Sequence, residues 1–151
     1  MKEIHYLIRL RYIKPTKGLV VKKSKLAEFI PLVRKEEEIV KGNVDVRCRV
    51  FLPEFVELAK SFGFSVHNSR NRIWMTSDDR EAYMRLLVYA VVRQNLLSEY
   101  KIWKLKDIVK ELPLSDIRYW ASTFRSSYER YGTRRELIRP AKAFKEVYLF
   151  D

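Results

Sequence analysis

Ile4-His5-Tyr6-Leu7-Ile8-Arg9-Leu10-Arg11-Tyr12-Ile13 decides the class of fold. Ile4, Tyr6, Ile8, Leu10 and Tyr12 fall on one side, and His5, Leu7, Arg9, Arg11 and Ile13 on the other. A period of two marks a strand with one dry face and one wet face. Residues 44–52 repeat it, with Val44, Val46, Cys48, Val50 and Leu52 against Asp45, Arg47, Arg49 and Phe51. Residues 64–67 and 72–76 flank Asn68-Ser69-Arg70-Asn71 and read as a hairpin with a basic tip.

Between and beyond these strands, Lys14-Pro15-Thr16-Lys17-Gly18 is turn chemistry, and residues 19–22 allow a short strand. Ser24 is placed to cap a helix running to about Lys41, which Pro31 either kinks or begins. Glu36, Glu37 and Glu38 read as a solvated face of that helix. Pro53 opens a short helix carrying Phe55, Val56, Leu58, Ala59 and Phe62, which Gly63 stops. The first half therefore reads β-α-β-α-β-β.

Residues 78–97 form a long helix capped by Ser77 or Asp78, apolar nearly all round, as a central buried helix must be. Residues 98–103 read as a connector or short strand. Leu105, Ile108, Val109 and Leu112 set a two-turn helix that Pro113 ends. Ser115 then caps a helix to Tyr131, closed by Gly132, with Ile117, Trp120, Ala121, Phe124, Tyr128 and Tyr131 as its inward stripe. Thr133-Arg134-Arg135-Glu136 has capping-box spacing and starts a further helix. Residues 147–150 suit an edge strand or a partner contact. The expected class is α+β. An N-terminal antiparallel sheet with flanking helices, residues 1–77, precedes a helical half, residues 78–151, that shares its core and resembles a helix-turn-helix unit.

Composition narrows the function. The 151 residues are 47% hydrophobic and 33% charged with four Gly and five Pro, which excludes disordered and low-complexity classes. The longest apolar run, residues 86–92, is far short of the roughly 20 residues of a membrane span, and no charged-then-apolar leader opens the sequence. A cytoplasmic protein without a membrane partner is expected. One Cys and two His give no disulfide and no zinc cluster, so no metal and no cofactor are expected. One Gln and four Asn beside so many charges match the balance of a thermophile's protein. The net charge of +12, larger in the first half than in the second, exceeds the magnitude of about 2 to 8 that solubility asks of a small domain. It points to a polyanion, because lysine and arginine displace condensed counterions from nucleic acid.

Two surfaces qualify. The helix pair joined by Leu112-Pro113-Leu114-Ser115 resembles, in architecture over residues 79–132, the helix-turn-helix proteins and their winged relatives. That resemblance makes Arg118, Tyr119, Ser122, Thr123, Arg125, Ser126, Glu129 and Arg130 a recognition face. Arginine can hold a guanine edge or a phosphate with two bonds, and hydroxyls can reach phosphate oxygens. The ordinary alternative is the polar side of an amphipathic helix. Arg134 and Arg135, with Arg139, Lys142 and Lys145, are placed to follow a phosphate backbone beside it. The second surface is the sheet: Arg9, Arg11, Arg47 and Arg49 share an outward face if the first two strands share a sheet. Arg70, Arg72 and Trp74 join them if Ile73 and Met75 face inward. Against this stands the fact that every half-buried sheet has a wet side. Residues 55–87, helix, Gly-Phe, hairpin and helix, are also similar to part of the repeating unit of LAGLIDADG homing endonucleases, which grip DNA with an arginine-rich sheet. The glycine-containing helix that ends in their catalytic acid has no counterpart before the first strand here, so no catalytic residue is carried over.

Enzyme motifs are missing: there is no phosphate-binding glycine loop, no nucleophile elbow and no paired histidines on a helix. Asp45, Glu54 and Glu57 with Lys60 fit a metal-dependent nuclease poorly. The sequence leads to a non-enzymatic nucleic-acid-binding protein, DNA before RNA, acting as a transcriptional or genome-maintenance factor. Its rivals are a subunit of a nucleoprotein complex, with a protein partner or a second copy of itself, and a nuclease.

Overall fold

A computed structural model describes residues 4–12, 26–35, 46–69, 72–96, 100–131 and 134–149. β1 (Ile4–Tyr12) is the central strand of a five-stranded antiparallel sheet that also holds β2 (Leu26–Lys35), β3 (Cys48–Phe51), β4 (Ser65–Ser69) and β5 (Arg72–Ser77). The order across the sheet is β3-β2-β1-β5-β4. Tyr6, Ile8 and Leu10 are buried, as are Ala27, Phe29, Cys48, Val50, Ile73 and Met75, so these strands offer their apolar parity to the same side.

Residues 26–35 correct the sequence reading, which made them a helix. Leu26, Phe29, Ile30 and Val33 satisfy helical spacing, but Ala27 and Phe29 alternate with half-buried Leu26, Glu28 and Ile30, and the strand period wins. The reason is tertiary: β1 has an apolar side to cover and a hydrogen-bonding edge to fill, and β2 pairs with it from Ile4↔Lys35 to Tyr12↔Ala27. Pro31 lies beyond the β3 ladder, which reaches only from Leu26↔Phe51 to Phe29↔Cys48, on a stretch with one described neighbour, where sheets tolerate proline. The first half is thus β-β-β-α-β-β. The turn at 14–18, the strand at 19–22, the Ser24 cap, the Glu36–Glu38 run, Val44 and Asp45 lie outside the described residues.

α1 (Leu52–Ser61) has Pro53 in its first turn and buries Leu52, Phe55, Leu58 and Ala59. It ends where Gly63 takes a φ of +92°, a region that costs other residues about 1 to 2 kcal/mol, and the chain reverses into β4. α2 (Arg80–Gln94) is capped by Asp79, whose carboxylate accepts the N–H groups of Glu81 (2.9 Å) and Ala82 (3.2 Å). The cap is therefore neither Ser77 nor Asp78, and the Ser77 hydroxyl instead accepts from the Asp79 N–H at 3.0 Å. Every residue of α2 from Ala82 to Arg93 is buried. Its neighbours explain why: β3, β5 and α1, then α3 (Tyr100–Glu111), α4 (Leu114–Tyr131) and α5 (Ile138–Tyr148). Tyr6 stacks on Tyr83 with ring centres 4.8 Å apart, and Phe55 meets Phe29 edge-on.

α3 starts at Tyr100, so residues 100–103 are helix rather than connector or strand; Ile102, Leu105, Val109 and Leu112 extend the apolar stripe back by a turn. α4 begins at Leu114, where the Pro113 carbonyl accepts from Asp116 and Ile117, and Ser115 is an exposed residue of the first turn, not the cap. Ile117, Trp120, Ala121, Phe124 and Tyr128 are buried, as the stripe requires. A 3₁₀ turn (Arg134–Leu137) and α5 follow in place of a wing hairpin. Val147 and Tyr148 belong to α5, not to an edge strand. Buried residues of the sheet, α1, α2, α3, α4 and α5 form one hydrophobic cluster.

Polar groups stitch this core. Arg93, 8% exposed, pairs with Glu54 at 2.9 Å and lies over the Phe51 ring at 4.1 Å, while the Tyr89 hydroxyl donates to the same carboxylate. Arg85, equally buried, binds Glu81 at 2.7 Å and the Val109 carbonyl at 2.7 Å, joining α2 to α3. Burial and the Glu54 carboxylate push the Tyr89 phenol well above its ordinary value of 10.0. The native state therefore resists the ionisation that the unfolded chain accepts, so stability is intact below about pH 10 and falls as pH rises past it. Denaturant titrations through that range should show a steeper loss for the parent than for Tyr89→Phe.

Candidate nucleic-acid interface

The helices occupy one side of the sheet, and the ladder fixes what stands on the other. In one row Arg49 pairs with Glu28, Glu28 with Arg11, and Arg11 with Arg72. In the next, Ile30 pairs with Arg9, Arg9 with Trp74, and Trp74 with His67. Ile73 and Met75 are buried, the condition under which Trp74 shares the arginine face. Arg11, Arg49 and His67 are exposed, and so is Arg47, two residues ahead of Arg49. The Arg9 guanidinium lies 4.4 Å from the Trp74 ring centre, an arrangement that fixes its plane; its Nε is shielded and has no hydrogen-bond partner among the described residues. Glu28 is the one carboxylate among the described residues of these rows. Arg72 is placed by register alone, and Arg70 lies outside the described residues.

On α4, Arg118, Tyr119, Ser122 and Ser126 are exposed, Tyr119 at 62%. Thr123 and Arg125 are half-buried, and the Thr123 hydroxyl donates to the Tyr119 carbonyl at 2.8 Å, which occupies its one donor. The side chains of Glu129, Arg130 and Arg134 are outside what is described. α4 packs on α2, α5 and the 3₁₀ turn. The central helix thus stands between the α4 arginines and the sheet, and the two sets belong to separate surfaces.

No family model matches the chain, and neither does any curated protein or solved structure. The surfaces themselves are the guide to function.

Of the residues considered for a nuclease, Glu54 is committed to Tyr89 and Arg93, Glu57 is exposed and Asp45 lies outside the described residues. No group of three His, Cys, Asp or Glu among the described residues is placed to hold a metal ion. No described helix is long and apolar enough to cross a membrane. The structure also brings together residues that the sequence did not connect. At the outer edge of β3, the Arg49 backbone N–H donates to Gln94 Oε1 at 3.1 Å. A cleft opens beside it, lined by Leu26, Arg49, Phe51, Gln94, Asn95, Arg135 and Ile138. Arg135 and Arg49 are 86 positions apart, and the 3₁₀ turn, followed by α5 packed at the end of α2, brings them to one cleft.

Proposed function

We propose that the protein binds nucleic acid, duplex DNA before RNA, through the outward face of its sheet, without catalysing a reaction on it. The observation that supports this most is the arginine face itself: Arg9 and Arg11 on β1, with Arg47 and Arg49 at β3, share it with a single carboxylate, Glu28, among the described residues on the side of the sheet opposite the helices. A wet sheet face needs only polarity, and mixed charges would supply it. Arginines on this face instead supply forked donors: Arg11 and Arg72 are ladder partners on adjacent strands, about 4.8 Å apart, and Arg49 stands two strands from Arg11, about 10 Å away, a spread that suits successive phosphates. Arg9 is further ordered by Trp74, so less side-chain freedom is lost when it engages a phosphate. The α4 face offers fewer donors, since Thr123 is occupied within the helix and Arg125 is half-buried.

Binding of a labelled duplex should weaken steeply with salt. If six phosphates are contacted, log affinity should fall against log salt with a slope of about −5. A flat salt response, or no binding at low salt, would remove this reading. A second reading has its own support: Trp103, Tyr119, Ile138 and Val147, on α3, α4 and α5, are each more than half exposed, separate apolar points that a protein partner in a nucleoprotein complex can cover. Tight duplex binding by the isolated chain favours the first reading, and binding only with a partner favours the second.

A further inference from the structure

We infer that the cleft at the β3 edge receives a single unpaired nucleotide, so that the protein prefers nucleic acid with a strand end or gap over a continuous duplex. This rests on the nucleic-acid reading and deepens it. The cleft measures about 320 Å³, near the lower end of the roughly 300 to 1,000 Å³ of small-molecule sites, which suits one nucleotide rather than a longer stretch. Its chemistry divides as a nucleotide does. Arg49 and Arg135, both exposed, can hold the phosphate with paired donors. Leu26, Phe51 and Ile138 give the apolar walls a base requires, Ile138 being 54% exposed with nothing yet gained from its position. Side-chain amides border the space. Gln94 Oε1 is held by the Arg49 N–H, while Gln94 Nε2 is shielded and has no partner among the described residues.

The end of a helix is an unfavourable neighbour for an anion, because its carbonyls carry partial negative charge. Here that charge is answered: Lys145 donates to the Asn95 carbonyl at 3.0 Å, and Arg93 to the Leu96 carbonyl at 3.3 Å. Glu54 is neutralised by Arg93 and does not oppose a phosphate. Arg135 lies off the sheet face, so it is the arginine whose loss separates the cleft from the sheet. Because Arg49 also borders the sheet face, a strand lying along the arginine rows passes over the β3 edge directly into the cleft.

The test compares three probes on the full chain: a blunt duplex, the same duplex with a short single-stranded overhang, and free adenosine monophosphate as competitor. The overhang should bind about tenfold tighter than the blunt duplex, the order of effect of sequestering one base. Arg135→Ala and, separately, Ile138→Ser should each remove most of that preference and leave blunt-duplex binding within about twofold. Both positions are exposed, and unchanged melting curves will show that the variants fold. Equal binding of the two duplexes by the parent, or equal weakening of both by Arg135→Ala, overturns the cleft assignment while the nucleic-acid reading stands. If neither duplex binds but the mononucleotide does, and Arg135→Ala abolishes it, the cleft is upheld as a nucleotide site and the sheet reading fails. Binding of none of the three overturns both.

Discussion

Phe124→Ala should destabilise the protein by about 3 to 5 kcal/mol, the usual cost of emptying a buried aromatic site. Phe124 is fully buried and packs against both Trp120 and Phe144, with ring centres at 5.9 and 6.5 Å. Trp120→Ala should cost a similar amount, because Trp120 also donates to the Tyr148 hydroxyl at 3.1 Å, and that hydroxyl donates on to Asp116 at 3.3 Å. For a chain of this length each kcal/mol moves the melting temperature by about 2 to 4 °C, so either variant should melt roughly 10 °C lower. One hydrophobic cluster runs from the sheet to α5, so the loss should appear as a single transition. A second transition, with the sheet half unfolding at its parent temperature, would show that the halves do not share stability.

Glu54→Ala should cost about 3 kcal/mol although it deletes a polar group. It strands the Arg93 guanidinium, whose side chain is 10% exposed, and takes away the acceptor of the Tyr89 hydroxyl. A buried charge without its partner is more costly than the pair was favourable. Glu54→Gln keeps an acceptor for Tyr89 and should cost less. Arg93→Leu combined with Glu54→Leu should cost much less than the sum of the two single changes, because the pair of changes leaves no orphan. Denaturant titration of the single and double variants decides it, and additive losses would mean that the pair is uncoupled.

The strands at 4–12, 65–69 and 72–77 and the stripe of α4 were legible because each has one dry face, and a single face imposes a single period. β2 was not, since Leu26, Phe29, Ile30 and Val33 satisfy the helical period as well, and only its pairing with β1 selects the strand. α2 was legible as buried but silent on its polar work: Arg85 and Arg93 are indistinguishable in sequence from surface arginines until Glu81, Val109 and Glu54 are seen around them. The sheet arginines could be assigned to one face from alternation alone. Their pairing with Glu28, and the stacking of Arg9 on Trp74, needed the register. The β3 edge cleft left no trace in the sequence, because its walls come from β2, β3, the end of α2, the 3₁₀ turn and the start of α5.

If the sheet, rather than α4, holds nucleic acid, duplex affinity for two variants of matched fold will show it. Replacing Arg9, Arg11, Arg47 and Arg49 together by Ala should weaken binding by at least about a hundredfold, and should flatten the salt slope by about 0.9 for each phosphate no longer held. Arg118→Ala with Arg125→Ala should leave affinity within about threefold, since surface charges remote from the duplex act only through a screened field. If the α4 variant instead binds more weakly by about 1 to 3 kcal/mol per arginine, the worth of a base-reading bond pair, and the sheet variant binds as the parent does, the site is on the helix and the sheet assignment is wrong.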